Sequence, residues 1–496
     1  MTRSAAEIGA GLQPAREARP IRAGERIHVL GVAGAGASAA ALLGADLGAI
    51  VSGCDPGGPS PYSPALEAAG IPVTWAHDPV HVTGGTPPDR LAVTKALTAI
   101  QPDHPELVAA ADRAIPLEPW QQLVADAAFG RTLIAVAGTH GKSTTAGWLT
   151  HVLATAGLDP GAFVGALLPA SVTGDLPATA RRGRGGPFVV EADEYAGNFD
   201  PYRPDLVALT TIEWDHPDVF ADRAAVLDAL EAWLGRAAEA TIVANVGDAG
   251  VAELVGRLAP SRHRVVSVAV GRPADHGATV ESIDPGGTTL HITSSGGSGF
   301  VLRIRLAGAH NTANGLVVAA TALELGLDPR VVAEAVASFP GVGRRLERKG
   351  QARGVVVYDD YGHHPTAIRA TIEALRQREP GRRLWAVYEP LTYHRTAALL
   401  GDFADALATA DAVAVADIWA GRDPDTTIAS AAGLADAVRA RRPDLEAAAP
   451  GSIEATADWL AGHVRPDDAV LVMGGGRSYR IAELILEALS ASSSTT

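Results

Sequence analysis

The stretch R-T-L-I-A-V-A-G-T-H-G-K-S-T-T-A-G-W, Arg131 to Trp148, decides how the rest of the chain is read. Leu133 to Ala137 is a short, wholly apolar run, the pattern of a strand buried in a parallel sheet. Gly138 to Gly141 then turns the chain. Beyond it Leu149, Val152, Leu153 and Ala156 recur at the spacing of an amphipathic helix, and Gly157 stands where a helix ends. Strand, glycine turn and helix in that order make a cradle for phosphate. Backbone N–H groups of Gly138, Thr139, His140, Gly141 and Thr144 and the positive helix end face the anion, Lys142 adds a point charge, and the Ser143 hydroxyl can hold Mg²⁺. A strict P-loop asks for glycine where this chain has Val136; the flanking strand and helix carry the reading to a nucleotide site.

At 496 residues the chain exceeds one ordinary core, and its length points to about three domains. A hydrophobic content of 47% with 20% charged residues is that of a globular protein. No apolar run approaches the ~20 residues of a membrane span. The first 22 residues are polar and carry no apolar signal core, so the expectation is a cytoplasmic protein with a loose tail over residues 1–22. The single cysteine, Cys54, excludes an internal disulfide and a multi-cysteine metal site. A net charge of −15 argues against nucleic acid and anionic membranes as partners, so phosphate has to be met by local positive groups and metal ions. Only Lys95, Lys142 and Lys349 are lysines. Lys95 reads as a solvated side chain.

The first domain, residues 23–128, opens with R-I-H-V-L-G-V-A-G-A-G-A-S. A strand enters a glycine turn at Gly31, Gly34 and Gly36, and a second strand ends at Asp55, where an acidic group can meet a ribose hydroxyl. Ala33 replaces a glycine of the dinucleotide fingerprint, and an ordinary βαβ packing turn fits as well. In the central domain, residues 129–339, P-F-V-V-E-A-D-E-Y ends a strand in Glu191, Asp193 and Glu194. A third strand leads into E-W-D-H with Asp215 and His216. Carboxylates at the C-terminal ends of parallel strands sit where open α/β sheets bind ligands, and hard oxygens suit Mg²⁺; solvated strand ends are the plainer reading of each cluster alone. Gly271 to Leu306 carries turn signals at Asp284-Pro-Gly-Gly and Ser294 to Gly299 beside alternating runs, which read as antiparallel hairpins. G-A-H-N-T-A-N-G follows, where Asn311 and Asn314 can serve simply as helix caps.

Phe339 to Arg348 is a proline–glycine linker with the pair Arg344 and Arg345. The third domain, residues 340–496, begins with V-V-V-Y-D-D-Y-G-H-H-P-T, a strand ending in Asp359 and Asp360. Further strands alternate with helices and end at Glu389, Asp417 and the Gly474 triplet, the pattern of another doubly wound parallel sheet. The pair His363 and His364 has no third ligand at metal spacing.

Together G-T-H-G-K-S-T, E-A-D-E, D-H, G-A-H-N-T-A-N and D-D-Y-G-H-H-P-T make this chain resemble the Mur ligases, which join amino acids to cell-wall (peptidoglycan) precursors using ATP. The likeness runs in order from about residue 26 to 480, and D-D-Y-G-H-H-P-T and V-S-G-C-D are similar to the alanine-adding branch. The resemblance implies an α/β fold of three domains: a Rossmann-like UDP domain, a central ATP domain of P-loop type with small hairpins, and a C-terminal amino-acid domain. It implies UDP-N-acetylmuramate held by Gly31, Gly34, Gly36, Ser38 and Asp55. ATP is assigned to the loop from Gly138 to Thr144 with His310, Asn314 and Asp359. Ser143, Glu191 and His216 become metal ligands, with Lys142, Arg344 and Arg345 neutralising phosphate across a closing cleft. L-alanine falls to Tyr361, His363 and Arg395. Two departures stand out: Ala196-Gly197-Asn198 replaces a more acidic or serine-rich stretch, and Glu389-Pro390-Leu391 stands where the branch has Q-P-H. A sister ligase that attaches a recycled peptide, and a paralogue that binds nucleotide without turnover, share most of these motifs.

Overall fold

The computed structural model describes residues 2–259, 261–294, 297–421, 423 and 425–491. The chain forms two compact units. One comprises Met1–Val280, Leu290–Arg303 and Ala313–Val342; the other comprises Glu281–Thr289, Ile304–Thr312 and Gly343–Thr496. No helix among the described residues is long and apolar enough to cross a membrane.

The first unit opens with β1 (Arg26–Leu30), β2 (Ile50–Cys54), β3 (Val73–Thr74), β4 (Arg90–Val93) and β5 (Leu117–Pro119). They form a parallel sheet in the order β3-β2-β1-β4-β5, the half-Rossmann arrangement expected from the glycine turn. The helix Ala35–Asp46 is mostly small or apolar, with six alanines, two leucines and two glycines, and Ala37 to Gly44 are buried. It is apolar all round because β1 and β2 lie on one side and β7 (Gly161–Leu168) and β8 (Ala178–Arg182) on the other. Small side chains let both sheets approach. A Cβ on Gly36 would fall 2.1 Å from the Trp120 ring, which itself meets Phe163 edge-on at 5.2 Å. Ser38 is fully buried, giving its hydroxyl to Ala35 O at 2.9 Å and meeting Thr179 Oγ1 at 3.0 Å. Ser38, which the resemblance assigned to the UDP-sugar, thus packs the first turn of this helix against β8.

The second sheet adds β6 (Thr132–Ala137), β9 (Pro187–Glu191), β10 (Leu206–Leu209), β11 (Thr241–Asn245), β12 (Arg264–Val270), β13 (His276–Asp284), β14 (Gly287–Ser294) and β15 (Gly297–Ile304). Its order is β15-β14-β13-β12-β11-β10-β6-β9-β7-β8, with β6 between β10 and β9, both parallel to it. The expected hairpin at Asp284 is present: β13 and β14 are neighbours joined through Pro285-Gly286, and Asp284 Oδ1 accepts from Gly286 N at 2.7 Å. The turn expected at Ser294 to Gly299 includes Ser295 and Gly296, which lie outside the described residues.

The stretch before residue 23 is packed, not loose. Ser4 caps the short helix Ala5–Ile8, and Ile8 is fully buried beside Tyr195 and Ala196. Arg16 bridges Glu118 (2.8 Å) and Asp126 (2.7 Å), both of which also pair with the buried Arg90. Composition concealed this because charged residues that pair with buried partners look like solvated ones in sequence.

In the second unit β16 (Glu347–Ala352), β17 (Val355–Asp360), β18 (Leu384–Glu389), β19 (Ala412–Ala416), β20 (Glu446–Gly451) and β21 (Ala469–Gly474) order as β16-β17-β21-β18-β19-β20. All pairings are parallel except β16 with β17, an antiparallel edge with a bulge between Arg348 and Gly350. Strands β17, β18, β19 and β21 are buried along their whole length, which their mostly apolar sequences suit, with Asp359, Asp360 and Glu389 buried at the ends of β17 and β18.

Candidate active site

The turn after β6 is shaped by the segment following β10. Gly138 has φ 127°, and a Cβ there would meet Thr210 Oγ1 at 2.5 Å and Thr211 O at 2.6 Å. Thr139 N donates to Thr211 O (2.7 Å), and His140 N donates to Thr211 Oγ1 (3.0 Å). The Thr139 and His140 amides therefore fix the loop that leads into the helix Lys142–Thr155. Gly141 caps that helix at φ 82°, and a Cβ on it would strike the Asn314 amide at 2.7 Å. Asn314 is buried against the loop; His310, four residues earlier in the helix Ala309–Glu324, is exposed and belongs to the second unit.

Lys142 folds back over the turn. Its Nζ donates to Gly138 O (2.6 Å) and Glu194 Oε2 (2.8 Å) and lies 3.5 Å from Asp193 Oδ1. Burial disfavours its charge, but Glu194 and Asp193 outweigh that and hold the ammonium above its usual range. Burial likewise opposes the Asp193 carboxylate, and Lys142 and His216 overcome it, so its pKa is lowered.

Glu191 ends β9 beside Val136 of β6. Its Oε1 accepts the Ser143 hydroxyl at 2.9 Å and its Oε2 accepts Gly165 N at 2.6 Å, so the carboxylate is fixed from two sides. His216, at φ 56°, stands beyond the end of β10, with its ring 4.8 Å from that of Tyr195. Asp193, Glu194 and His216 bring one ligand atom each within 4.8 Å of one another. The structure thus joins Ser143 to Glu191 and His216 to Asp193 and Glu194, with Lys142 bonded within the second group. β9, which ends in Glu191, and β10, beyond which His216 lies, flank β6 on opposite sides.

The unusual Ala196-Gly197-Asn198 turn acquires a purpose here. Ala196 and Gly197 take φ 48° and 67°. Asn198 Nδ2 donates to Asp193 Oδ2 (2.9 Å), and its Oδ1 accepts from Gln121 Nε2 (2.7 Å). Lys95 Nζ donates to Ala196 O at 2.7 Å, and burial pulls its pKa down to about 8 against the opposing pull of Asp200 and Asp193. Lys95 is a fastener between the two sheets of this unit and not a solvated lysine. No sequence pattern marked it, apart from lysine being scarce in this chain.

In the first sheet Asp55 Oδ2 accepts from Ala33 N (3.2 Å) and Oδ1 from Gly57 N (2.9 Å), tying the glycine turn to the end of β2. Gly31 has φ 76°; Ala33 has no left-handed φ, which is why alanine is tolerated there.

In the second unit Arg344 is committed to its surroundings. It donates to Asp359 Oδ2 (3.2 Å), Gly474 O (2.8 Å) and Ser478 Oγ (2.8 Å), locking the ends of β17 and β21 together. Asp359, expected as an ATP contact, is wholly buried, and burial pushes its pKa to about 6 despite Arg344. Tyr361 lies between two guanidinium groups, 5.0 Å from Arg344 and 4.8 Å from Arg345, and meets His363 edge-on at 5.2 Å. Arg395 is buried on the helix Tyr393–Ala398. Leu391 fits beneath the glycine triplet, where a Cβ on Gly475 would come within 2.8 Å of it.

A glycine turn between parallel strand and helix, with lysine, serine and a fixed carboxylate gathered at the sheet's carboxyl end, defines a nucleotide-using α/β enzyme. The descriptions "Mur ligase family, catalytic domain", "Mur ligase middle domain" and "Mur ligase, glutamate ligase domain" match residues 26–131, 136–322 and 344–476. A UDP-N-acetylmuramate–L-alanine ligase of Kineococcus radiotolerans is 37% identical over 473 residues, 94% of this chain and 96% of its own length. The chain belongs to the Mur ligase family. In fold it is similar to the UDP-N-acetylmuramate–alanine ligase of Thermotoga maritima, with TM-score 0.77 and 24% identity over 95% of this chain and 100% of the other. A murein peptide ligase of Psychrobacter arcticus gives TM-score 0.71 and 24% identity over 94% and 99%.

Proposed function

We propose that this protein joins L-alanine to the lactyl carboxylate of UDP-N-acetylmuramate at the expense of ATP. The observation that carries the reading is the convergence of Lys142, Ser143 and Glu191 on the turn after β6, in a chain over a third identical to an alanine ligase along nearly its whole length. A carboxylate is a poor electrophile. Transfer of the γ-phosphoryl group of ATP to it gives an acyl phosphate and ADP. The deprotonated amine of alanine then attacks the acyl carbon, and the tetrahedral intermediate expels phosphate. The protein's part in the first step is positioning and charge neutralisation.

Lys142, held by Glu194, is poised to neutralise the phosphoryl group as it passes to the carboxylate, and the first turn of its helix supplies oriented amides. Asn314 supports the loop from behind Gly141. The donor set of hydroxyl, carboxylates and one imidazole fits Mg²⁺: Ser143, Glu191 and His216 would hold it, supported by Asp193 and Glu194. The ion supplies charge to the phosphate oxygens when bound. Gly31, Gly34 and Asp55 are assigned to the UDP-sugar, Arg345 and His310 to the nucleotide, and Tyr361, His363 and Arg395 to the amino acid. Arg344 acts by positioning: it braces Asp359 and the Gly474 turn.

Phosphate release from ATP in the presence of UDP-N-acetylmuramate, scanned over L-alanine, glycine, L-serine and a tripeptide, tests the reading. L-alanine should give the highest kcat/KM. Efficient use of the tripeptide instead would transfer the function to peptide ligation, and release with none of the four would overturn it.

A further inference from the structure

Between β1, β2, the short helix Val80–Thr83 with the turn before it, and the helix Pro105–Ala111 lies a buried group of side chains with no part in the chemistry above. Cys54 and Glu106 are fully buried, and His28 is 3% exposed. His28 Nε2 lies 3.3 Å from Cys54 Sγ and 3.5 Å from Glu106 Oε2. Cys54 Sγ is 3.4 Å from Glu106 Oε1, and His81 Nδ1 is 3.4 Å from the same oxygen. One ligand atom from each of His28, Cys54, His81 and Glu106 falls within 4.8 Å of the other three.

Hydrogen bonding alone accounts poorly for this packing. A thiol has one proton to donate and is a weak acceptor, yet Cys54 Sγ has His28 Nε2, His77 Nδ1 and both Glu106 oxygens within 3.2–3.6 Å. His81 Nδ1 is buried and makes no hydrogen bond among the described residues, although it faces the Glu106 carboxylate. A tetrahedral ion with bonds of ~2.0–2.3 Å spaces its ligand atoms ~3.3–3.8 Å apart, and the His28–Cys54, His28–Glu106, Cys54–Glu106 and His81–Glu106 distances of 3.3–3.5 Å fall in that range. The donors are two imidazoles, one thiolate and one carboxylate, a set that selects zinc over magnesium or calcium. His77 Nδ1 lies 3.2 Å from Glu106 Oε1, the place of a partner that orients a ligating carboxylate.

We propose that His28, Cys54, His81 and Glu106 form a closed, structural zinc site in the first sheet. Four protein ligands leave no open position, so the ion staples and does not catalyse. It ties β1 and β2 at the end where Asp55, next to Cys54, holds the glycine turn.

The full-length chain, freed of metal by chelation and titrated with Co²⁺, tests the site without reference to activity. Because Cys54 is the only cysteine, a thiolate-to-cobalt charge-transfer band can arise from no other residue. The band should saturate at one equivalent, vanish in Cys54→Ser, and need at least tenfold more Co²⁺ in His81→Ala, whose side chain reaches the surface. Zinc should co-purify at one equivalent by plasma mass spectrometry. Absence of both zinc and the band in the wild type, or persistence of the band in Cys54→Ser, would overturn the proposal in favour of a hydrogen-bonded cluster. Should Cys54→Ser fail to fold, the wild-type spectrum still decides.

Discussion

Lys142 Nζ lies 2.8 Å from Glu194 Oε2, so the cation of the nucleotide loop is anchored by a carboxylate from the neighbouring strand's exit. The pairing keeps the lysine charged and aimed over its own turn instead of waving in solvent. It also makes the pair interdependent: removing the lysine strands a carboxylate that is 3% exposed.

Lys142→Ala should accordingly lower turnover by orders of magnitude. Retention of more than about a tenth of the activity would correspond to only ~1.4 kcal/mol, too little for a phosphate-neutralising lysine, and would remove it from the site. Lys142→Ala with Glu194→Gln should recover thermal stability lost in the single variant without recovering turnover. Differential scanning calorimetry beside steady-state kinetics reads both.

Glu191 is fixed by Ser143 and Gly165 N, so Glu191→Gln preserves shape while removing charge. The Mg²⁺ concentration for half-maximal activity should rise at least tenfold, with the KM for UDP-N-acetylmuramate little changed. An unchanged Mg²⁺ dependence counts against Glu191 as a ligand.

Glu389 stands where the alanine-adding branch carries glutamine. It is buried, its Oε2 has no hydrogen-bond partner among the described residues, and burial pushes its pKa from 4.5 to about 7. A carboxyl whose pKa is raised on folding contributes stability below its unfolded value and loses it as pH climbs through the folded value. The window here is therefore about pH 4.5 to 7. Glu389→Gln should match the wild type near pH 4 and exceed its Tm at pH 8, by up to ~3 kcal/mol in stability. Equal Tm differences across the range would refute the assignment.

Arg395 is buried on a short helix after β18, and a guanidinium grips a carboxylate with two parallel hydrogen bonds that lysine cannot reproduce. Arg395→Lys should raise the KM for L-alanine more than that for ATP. Steady-state kinetics with each substrate varied decides this, and equal effects would place Arg395 outside the acceptor pocket.

The run Leu133 to Ala137, the glycine turn and the Lys142 helix were legible from order alone, because strand, turn and helix signals are local and each reports its own backbone. The same holds for the parallel sheets, whose buried strands must be apolar throughout. Nothing local marks Ser38 as a packing residue, Lys95 as a fastener or Arg16 as the partner of two buried carboxylates. Polar side chains look alike in sequence whether they meet water or a partner a hundred residues away.

What the sequence determined by itself is the class of fold, the strand–turn–helix around Lys142 and the family, since these rest on short patterns whose backbone geometry is set within a few residues. Only the tertiary structure divided the acidic residues between Ser143 and Lys142, turned Arg344 and Asp359 into an internal brace, and gathered His28, Cys54, His81 and Glu106 around one point. Those relationships join segments far apart in the chain. Their distances and burial, which fix charge and ligation, exist only once the sheets have packed.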